Sequence, residues 1–556
     1  MESIILISIL VGICFIAYLL GLRDQKIAEK ALLIKLKKNS GQAPFREYKQ
    51  DDLDHIPGFY NNHKSDNQID DITWNDLNMD GVFARINYCL SATGEEYLYY
   101  LLRTLKQEDD FKEHEEHVKF FQSNADARQK CQLIFYKIGR RIRYSIYDYI
   151  DYLDRVPDVS NAKHFIMLGL MVISGAVCFV NFKIGFIALL GLMAVNLVWY
   201  FRQKGTIEPY LATFAYILRV IYATDYFDKI KYPELEKDIK DMKDATKALK
   251  SFVRGAGILM TPGGSASGNP MEVIFDYFRM VTHIDLIKFN QMYKAIIAHR
   301  EDLDKILEIT GRIEAEISVA CFRESVKDNY CEPVFGGEEY NAKVLLHPLI
   351  ENAVPNDIAA DRGVLITGSN ASGKSTFLKT CAINTILAQT IHTVLAKEYK
   401  APIYKVYSSM ALKDDIFEGD SYYIVEIKSI KRILDAAKKD GFRVLCFVDE
   451  VLRGTNTIER IAASTEILKT FAKEKVMCFA ATHDIELTTL LADYYGIYHF
   501  EGNVSDNDVH FDYLIKEGPA TTRNAIKLLG VLGYDNEVVD NAQHLADHFL
   551  KNGVWV

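Results

Sequence analysis

The stretch VLITGSNASGKST at residues 364–376 decides the fold of the C-terminal half of this 556-residue chain. Residues 364–367 are apolar or β-branched and predict a buried strand, whereas residues 376–389 predict a helix. The loop between them fits the pattern GxxxxGK[ST] without a gap. In this context the glycines let the backbone fold closely around phosphate groups, and the helix N-terminus adds positive potential. The stretch therefore predicts a nucleotide site; the alternative is a glycine-rich turn with an incidental lysine.

Each residue of this loop has a predicted part in binding ATP with Mg²⁺. The Lys374 ammonium is placed to reach the β- and γ-phosphates, and the Ser375 hydroxyl to ligate the metal. Successive backbone N–H groups would surround the phosphates. The predicted nucleotide-binding residues of the loop are Gly368, Ser369, Asn370, Ala371, Ser372, Gly373, Lys374, Ser375 and Thr376.

A second apolar run supports the same chemistry. Residues 444–448 predict a buried strand that ends in Asp449-Glu450. Because a carboxylate at the end of a strand can hold the metal, we assign Asp449 to Mg²⁺ together with Ser375. The adjacent Glu450 is placed to polarise the attacking water as a general base.

A third run, at residues 476–480, ends near a histidine. There, His483 could contact the γ-phosphate or the catalytic water, and we predict that role; the alternative is a capping or packing histidine. The predicted catalytic residues are therefore Glu450, Lys374 and His483.

The character of the chain changes near residue 330. After it, apolar strand-like runs alternate with helical stretches, a pattern typical of a parallel sheet covered by helices. Before it lies a helical region rich in lysine, glutamate and aromatic residues. A glycine-rich stretch at 255–268 lacks the full GxGxxG after a strand and predicts a mobile connector. Residues 39–72 are polar and aperiodic, and predict a linker or loosely packed lead-in.

Three stretches of 18 residues without a charge occupy residues 3–20, 165–182 and 184–201. An apolar run of about 18 or more residues can span a membrane. The first predicts an anchor; the alternative, a cleaved signal peptide, lacks a basic n-region and an A-x-A site. The other two predict a hairpin with a tight turn at Asn181-Phe182-Lys183. The alternative is a helical hairpin buried in a soluble core.

Basic residues follow the first stretch and lie at both outer ends of the hairpin. They are Arg23, Lys26, Lys30, Lys35, Lys37, Lys38, Lys163, Arg202 and Lys204. By the positive-inside rule the N-terminus is outside, and three spans carry the chain to the cytosol. We therefore predict a multi-pass membrane protein with a cytosolic ATPase domain.

Composition excludes two classes of protein. The formal charge of −10 excludes a histone-like, globally basic nucleic-acid binder, although not a local basic groove. The nine cysteines are scattered without CxxC spacing, which excludes a zinc ribbon or a dithiol motif and indicates reduced thiols.

Together, these motifs resemble the MutS family of DNA mismatch-repair ATPases. TGSNASGKST (367–376) resembles the family's TGPNMGGKST, and DEVLRGTNT (449–457) resembles DELGRGTST. DDIFEGDSYYIVEI (414–427) resembles DDLASGRSTFMVEM, and FAATHDIELT (479–488) resembles FATHYHELT. Three further stretches are similar to the family's nucleotide-side loop, lever-to-ATPase junction and start of the helical core: 347–357, 314–335 and 74–103. The resemblance covers about residues 74–103 and 314–535.

The resemblance implies an ABC-type ATPase that dimerises head to tail and buries two ATPs at composite sites. Ser421 would then reach the ATP of the opposite subunit; the alternative is that it caps its own helix. We expect a membrane-anchored variant that lacks the family's mismatch-reading domain. The expected fold is an α/β P-loop (ABC-type) ATPase domain with a mixed β-sheet, preceded by a mostly α-helical core and lever region that carries transmembrane helices. The expected divisions are an N-terminal transmembrane anchor (1–22), a linker (23–72), the helical region (73–330) with its transmembrane hairpin (164–202), the ATPase domain (331–535) and a C-terminal helix (536–556).

Two functions follow from these features. The first is a membrane-anchored MutS-like ATPase coupled to DNA binding, in mismatch repair or in sensing DNA structure. The second is a membrane-tethered dimeric nucleotide switch that acts on a protein or membrane partner without binding DNA. The acidic balance favours the second, and clusters such as Arg140-Arg141-Arg143 indicate solvated helix faces more than a groove. A transporter is a weaker third hypothesis, because no polar residues line a path through the spans.

Overall fold

The computed structural model describes residues 23–555 with gaps at 25, 45, 47, 141–144, 149–159, 255, 257–276, 370–371, 411–421, 440–441, 506–507, 521–525, 527–528 and 531–532. Four sequence predictions fall outside these described residues. They concern the apolar stretch 3–20, nearly all of the glycine-rich stretch 255–268, the loop residues Asn370 and Ala371, and Ser421.

The N-terminal part of the described chain is helical, as predicted. Its helices bury apolar residues at helical spacing: in the fifth helix, Leu98 and Leu102 have no exposed surface. The Ser91 side chain begins that helix by accepting a hydrogen bond from the backbone N–H of Gly94. The helices are α1 (Gln50–His55), α2 (Gly58–Asn62), α3 (Asp71–Asp76), α4 (Met79–Ile86), α5 (Ala92–Arg103), α6 (Lys112–Ser123), α7 (Ala125–Ile138), α8 (Ala162–Val180), α9 (Phe182–Ile230), α10 (Glu236–Ala248), α11 (Lys250–Val253), α12 (Ile284–Ala298) and α13 (Arg300–Val326).

Part of the stretch predicted as a linker packs against the helical core. The short helices α1 and α2 lie in it, and Phe59 of α2 is only 2% exposed. The Phe59 ring contacts the rings of Tyr97, Tyr100 and Tyr147 edge-on, with centroids 5.0–5.6 Å apart. Such short helices contain too few turns to show a period in the sequence, which is why residues 39–72 looked aperiodic. This stretch is therefore a packed part of the helical region.

Two helices are long and apolar enough to cross a membrane, judged by length and composition alone: Ala162–Val180 and Phe182–Glu208. Only 11% and 17% of their most apolar windows are buried within the protein. Phe179 and Val180, near the tip, are 95% and 90% exposed. A hairpin inside a soluble core would have most of these side chains covered, so their exposure does not fit that alternative.

The hairpin turn is tighter than predicted. Only Asn181 separates the two helices, because Phe182 and Lys183 already belong to α9. The Asn181 side chain accepts a hydrogen bond from the backbone N–H of Ile184 and so caps the second helix. Gly185 lets that helix approach the first, since a Cβ there would lie 2.4 Å from the backbone nitrogen of Cys178.

The second hairpin helix continues far beyond its apolar stretch. α9 has 49 residues, and at about 1.5 Å per residue it is about 74 Å long. Its distal part lies in the helical core, where Phe214, Ile217 and Phe227 have no exposed surface. The base of the hairpin is also bound to α12, because the Tyr200 hydroxyl donates to Asp285 at 2.6 Å. The hairpin is thus continuous with the helical core.

A buried arginine joins the helical part to the α/β part. Arg323, on α13, has no exposed surface and donates to both oxygens of Glu115, at 2.5 and 3.1 Å. It also donates to the backbone carbonyl of His392 at 2.9 Å. His392 ends the helix that follows the glycine-rich loop, so this cation stabilises the carbonyl end of that helix.

The C-terminal part has two sheets. The larger has the strand order β10-β9-β4-β8-β7-β6, with parallel pairs throughout except β9 with β10. The smaller has the order β1-β5-β2-β3 and is mostly antiparallel. The strands are β1 (Val334–Phe335), β2 (Tyr340–Leu345), β3 (Asn356–Ala360), β4 (Gly363–Thr367), β5 (Glu398–Ala401), β6 (Tyr404–Ser409), β7 (Arg443–Asp449), β8 (Met477–Thr482), β9 (Tyr495–Ser505) and β10 (Asp508–Glu517). The larger sheet therefore contains both parallel and antiparallel pairs, as expected for a mixed sheet.

Five helices accompany these strands: α14 (Lys374–Ile391), α15 (Tyr422–Ala437), α16 (Thr457–Lys473), α17 (Glu486–Leu490) and α18 (Asn536–Asn552). Every residue of β4 and of β8 is buried, which accounts for their continuous apolar sequences. Because β4, β7 and β8 are parallel neighbours, their carboxyl ends meet at one edge of the larger sheet. This edge collects the loop after β4, Asp449-Glu450 and His483.

Candidate functional site

Eight of the predicted site residues line one cleft at the carboxyl edge of the larger sheet. The cleft has a volume of about 320 Å³. Open parallel sheets generally bind ligands at this edge, outside the carboxyl ends of their strands. The residues that line it are Ser372, Gly373, Lys374, Ser375, Thr376, Asp449, Glu450, His483 and Tyr513.

The loop after β4 has the backbone of a phosphate-binding loop. Gly368 and Gly373 have φ of +145° and +109°, values that residues with a side chain rarely adopt. A Cβ at Gly368 would lie 2.6 Å from the backbone carbonyl oxygen of Phe500, so the close approach of the two chains also requires glycine. The two glycines therefore let the chain turn from β4 into α14.

Lys374 lies inside this loop. It is 5% exposed, and its ammonium donates to the backbone carbonyls of Gly368 and Ser369, at 2.8 Å each. Burial lowers the pKa of Lys374 to about 8, and the nearby carboxylates of Asp449 and Glu450 oppose that shift. Because this ammonium is desolvated, an anion in the cleft would stabilise its charged form.

Asp449 ends β7 beside the start of α14. Burial raises the pKa of Asp449, and a hydrogen bond from Ser375 opposes the shift. A hydroxyl and a carboxylate side by side are oxygen ligands of the kind that Mg²⁺ prefers. The structure thus brings together the two residues predicted to hold the metal.

Glu450 is held from two sides. One carboxylate oxygen lies 2.7 Å from His483 Nε2, and the other lies 3.0 Å from Arg453 Nε. The hydrogen bond with His483 is the main reason that the pKa of Glu450 is lowered, with burial opposing it. The Glu450 backbone has φ of +57°, and its N–H donates to the carbonyl of Ala481 on β8 at 2.9 Å. The carboxylate is therefore ionised near neutral pH and fixed towards the cleft.

A second pocket of about 260 Å³ adjoins the loop. Its lining is largely apolar and includes Phe377, Phe500 and Ile350, together with His347. Tyr513 lines both cavities, and its ring lies 3.2 Å from where a Cβ of Gly373 would be. A flat heterocycle joined to a chain of phosphates would fit a pocket of this kind beside a phosphate loop. The sequence had indicated only residues 347–357 for this side of the site.

The side chains of the cleft have the chemistry that a phosphate chain with Mg²⁺ requires. The Ser372 hydroxyl is buried, and no described residue is a hydrogen-bond partner for it. A hydroxyl in that state inside a glycine loop suits a phosphate oxygen. With Lys374 desolvated and Asp449 beside Ser375, the residues present fit the nucleotide and the metal.

Some predicted site residues lie outside the described residues, and some features went unpredicted. Asn370, Ala371 and Ser421 belong to the first group. Arg453 belongs to the second group, because the motif DEVLRGTNT contains it without indicating its ion pair with Glu450. The pairing of Arg46, in the stretch predicted as a linker, with Glu95 of the helical core also went unpredicted.

Comparisons with known proteins agree with these motifs. Residues 364–550 match the family model described as MutS domain V. A DNA mismatch repair protein MutS from Thermus thermophilus is 31% identical over 253 residues, which cover 44% of this chain and 31% of the relative. A DNA mismatch repair protein MutS from Natronomonas pharaonis is 32% identical over 280 residues, covering 48% of this chain and 32% of the relative.

A third relative, a DNA mismatch repair protein MutS 2 from Haloarcula marismortui, is 27% identical over 277 residues, covering 44% of this chain and 29% of the relative. The chain thus spans about a third of the length of the curated relatives that it matches. The shared part is the C-terminal half, which contains the glycine loop, Asp449-Glu450 and His483. On this match, residues 364–550 of the chain are a MutS domain V, the family that the motifs of its C-terminal half also resemble.

Proposed function

We propose that this chain binds and hydrolyses ATP with Mg²⁺, through an ABC-type P-loop ATPase domain at residues 331–535. The observation that carries the proposal is the convergence of Lys374, Asp449 and Glu450 on one cleft beside an apolar pocket. The charge pattern supports it, because a desolvated cation lies beside carboxylates suited to a metal and to proton transfer.

Each side chain has a distinct part in the proposed reaction. Lys374 leaves its backbone carbonyl partners and offsets charge on the β- and γ-phosphates. Ser375 and Asp449 would hold Mg²⁺, which would supply electrostatic stabilisation of the phosphate oxygens. Glu450, whose carboxylate is ionised near neutral pH and lies 2.7 Å from His483, accepts the proton of the attacking water. His483 fixes the direction of that carboxylate and lies where the γ-phosphate or the catalytic water would contact it.

We further propose that two copies of the chain form composite sites. The glycine loop leaves the cleft open on one side, and the segment that ends at Ser421 would close it from the opposite subunit. A hydroxyl at the start of α15 would add a hydrogen bond and a helix dipole to the γ-phosphate. This homodimer is supported by the resemblance of residues 414–427 to the family's segment, and the alternative is that Ser421 caps its own helix.

A mixing experiment tests the composite site. Lys374→Ala and Ser421→Arg each remove one half of every site, so neither variant should turn over ATP alone. The mixture should regain activity, because one of the two sites in a heterodimer is intact. Absence of recovery, with heterodimers demonstrated by differently tagged chains, would contradict the shared site.

The hairpin supports a membrane location for the protein. With 164–202 as a transmembrane hairpin, 1–22 as an anchor and basic residues at the predicted inner ends, the chain is a multi-pass protein with its ATPase domain in the cytosol. The helical region, residues 73–330, would then connect the membrane to the ATPase domain through α9. In this proposal the stretch up to residue 72 follows the anchor and ends packed on the core.

The partner of the ATPase is the remaining part of the proposal. The relatives are named as DNA mismatch repair proteins, which supports coupling to DNA binding, in repair or in sensing DNA structure. The second candidate is a nucleotide switch that acts on a protein or membrane partner, and the exposed apolar hairpin favours it. Salt-titrated binding of DNA to the detergent-solubilised protein separates the two. Nucleic-acid binding weakens steeply with salt when phosphate contacts supply the affinity. A steep salt slope supports the first candidate, and no binding at low salt supports the second.

A further inference from the structure

The loop that follows β7 carries backbone strain at the candidate catalytic residue. Glu450 has φ of +57° and Leu452 has φ of +59°. Residues with a side chain lose about 1–2 kcal/mol in this left-handed region, so the surrounding structure must hold them there. Val451 and Leu452 contribute by packing, since they are 4% and 3% exposed. The polar groups of the loop require partners of their own.

Glu426 supplies such a partner from α15. Its side chain is 3% exposed, and Oε1 accepts a hydrogen bond from the backbone N–H of Arg453 at 3.2 Å. Burial raises the pKa of Glu426, and the backbone N–H groups of Arg453, Leu452 and Gly454 oppose that shift. A buried acceptor aimed at consecutive backbone donors fixes the course of the loop.

The same loop residue reaches the candidate base. The Arg453 side chain donates from Nε to Glu450, 3.0 Å away. Arg453 therefore makes both contacts. Its backbone N–H donates to Glu426, and its side chain forms an ion pair with Glu450. A second contact joins the loop to α15, because a Cβ at Gly454 would lie 3.0 Å from the Cβ of Tyr423. The loop is therefore fixed to the first turns of α15 at two points.

We propose that Glu426 is a positioning residue, which holds the loop of residues 450–454 so that Arg453 and Glu450 keep the orientation needed for hydrolysis. This inference rests on the proposed ATPase function. Glu426 lies in the second turn of α15, so it joins that helix to the loop of residues 450–454.

Three variants of the full-length protein, measured in detergent, test the role of Glu426. Glu426→Ala should lower ATP turnover about tenfold, the scale of one lost net hydrogen bond to the loop, and leave the affinity for ATP unchanged. Glu426→Gln should restore turnover to within about threefold of wild type, because its amide oxygen can accept from the same N–H group. Asp435→Ala, an exposed acid on the same helix, is the matched control and should match wild type.

Non-additivity separates positioning from general damage. If Glu426 acts through Glu450, adding Glu426→Ala to Glu450→Gln should cause no further loss of turnover. The inference is overturned if Glu426→Ala matches wild type, if the two losses multiply, or if Glu426→Ala weakens ATP binding and lowers the melting temperature together. Wild-type turnover no greater than that of Lys374→Ala would instead refute the proposed ATPase function.

Discussion

The carboxyl edge of the larger sheet and the helical hairpin both hold side chains in surroundings that such groups usually avoid, but in opposite ways: the edge keeps charged groups from water, and the hairpin exposes apolar ones. The edge presents a desolvated lysine, two carboxylates and strained backbone around a cleft. The hairpin presents apolar side chains, such as Phe179 and Ile187, to the outside. A charged ligand would stabilise the first region, whereas a hydrocarbon medium would stabilise the second. The comparison teaches that the degree of exposure does not by itself identify a binding site. The chemistry of the side chains in their surroundings indicates the kind of partner.

The largest expected effect concerns the hairpin. In the proposed topology, a cysteine at Lys183 is labelled from outside intact cells, whereas one at Lys204 is not. Adding Ile187→Asp and Leu190→Asp should lower labelling at 183 by about 10²-fold or more, because each aspartate costs about 2.5–3.5 kcal/mol within a membrane helix. Tyr222→Asp changes an exposed residue in the part of the same helix that belongs to the helical core, and it should leave labelling unchanged. Labelling of 204 from outside would contradict the hairpin topology.

At the cleft, Lys374→Ala should weaken ATP binding about 10- to 100-fold, the worth of its charge-assisted hydrogen bonds to phosphate. Titration with a fluorescent ATP analogue measures the affinity directly. Lys439→Ala, an exposed lysine after α15, is the control and should bind like wild type. Equal affinity in all three proteins would remove the phosphate-binding role from the loop.

In both regions the sequence predicted the local elements but not the contacts between distant stretches. The strands β4, β7 and β8 and the roles of Lys374 and Asp449 follow from local patterns of a few residues, and so does the apolar hairpin. The contact of Glu426 with the loop of residues 450–454 joins distant stretches, and no local pattern contains it. The length of α9 was missed for a related reason, because its apolar period changes where it leaves the hairpin and enters the core.

A smaller effect concerns the pH dependence of turnover. The hydrogen bond from His483 lowers the pKa of Glu450, so His483→Ala should raise that pKa towards its ordinary value. Since the base works when ionised, the acidic limb of the turnover profile should move to higher pH, while turnover above pH 8 falls less. Rates measured from about pH 3.5 to 9 would reveal the shift, and His544→Ala, an exposed histidine, should leave the profile in place. An unmoved limb would mean that His483 does not control Glu450.

The smallest effect concerns the stability of the helical core. Burial raises the pKa of Glu96 to about 8, and hydrogen bonds from Ser145 and the Phe59 N–H oppose the shift. The folded state therefore holds this proton more tightly than the unfolded state. The associated stability is present below the ordinary carboxyl range and is lost as the pH rises through about 8.

Glu96→Gln cannot ionise and should remove that dependence. Its melting temperature should fall less between pH 5 and 8 than that of wild type, by a few degrees. Glu116→Gln, at an exposed position, should keep the wild-type slope. Parallel slopes for wild type and Glu96→Gln would mean that Glu96 titrates normally.

The proposed ATP-hydrolysing site depends most on Glu450 as its base, and steady-state turnover tests that role most directly. Purified wild-type protein and Glu450→Gln would be compared in the same detergent, with and without Mg²⁺. The account predicts Mg²⁺-dependent turnover in wild type and a loss of about 10²-fold or more in Glu450→Gln, with ATP affinity retained. Hydrolysis by Glu450→Gln at the wild-type rate would contradict it.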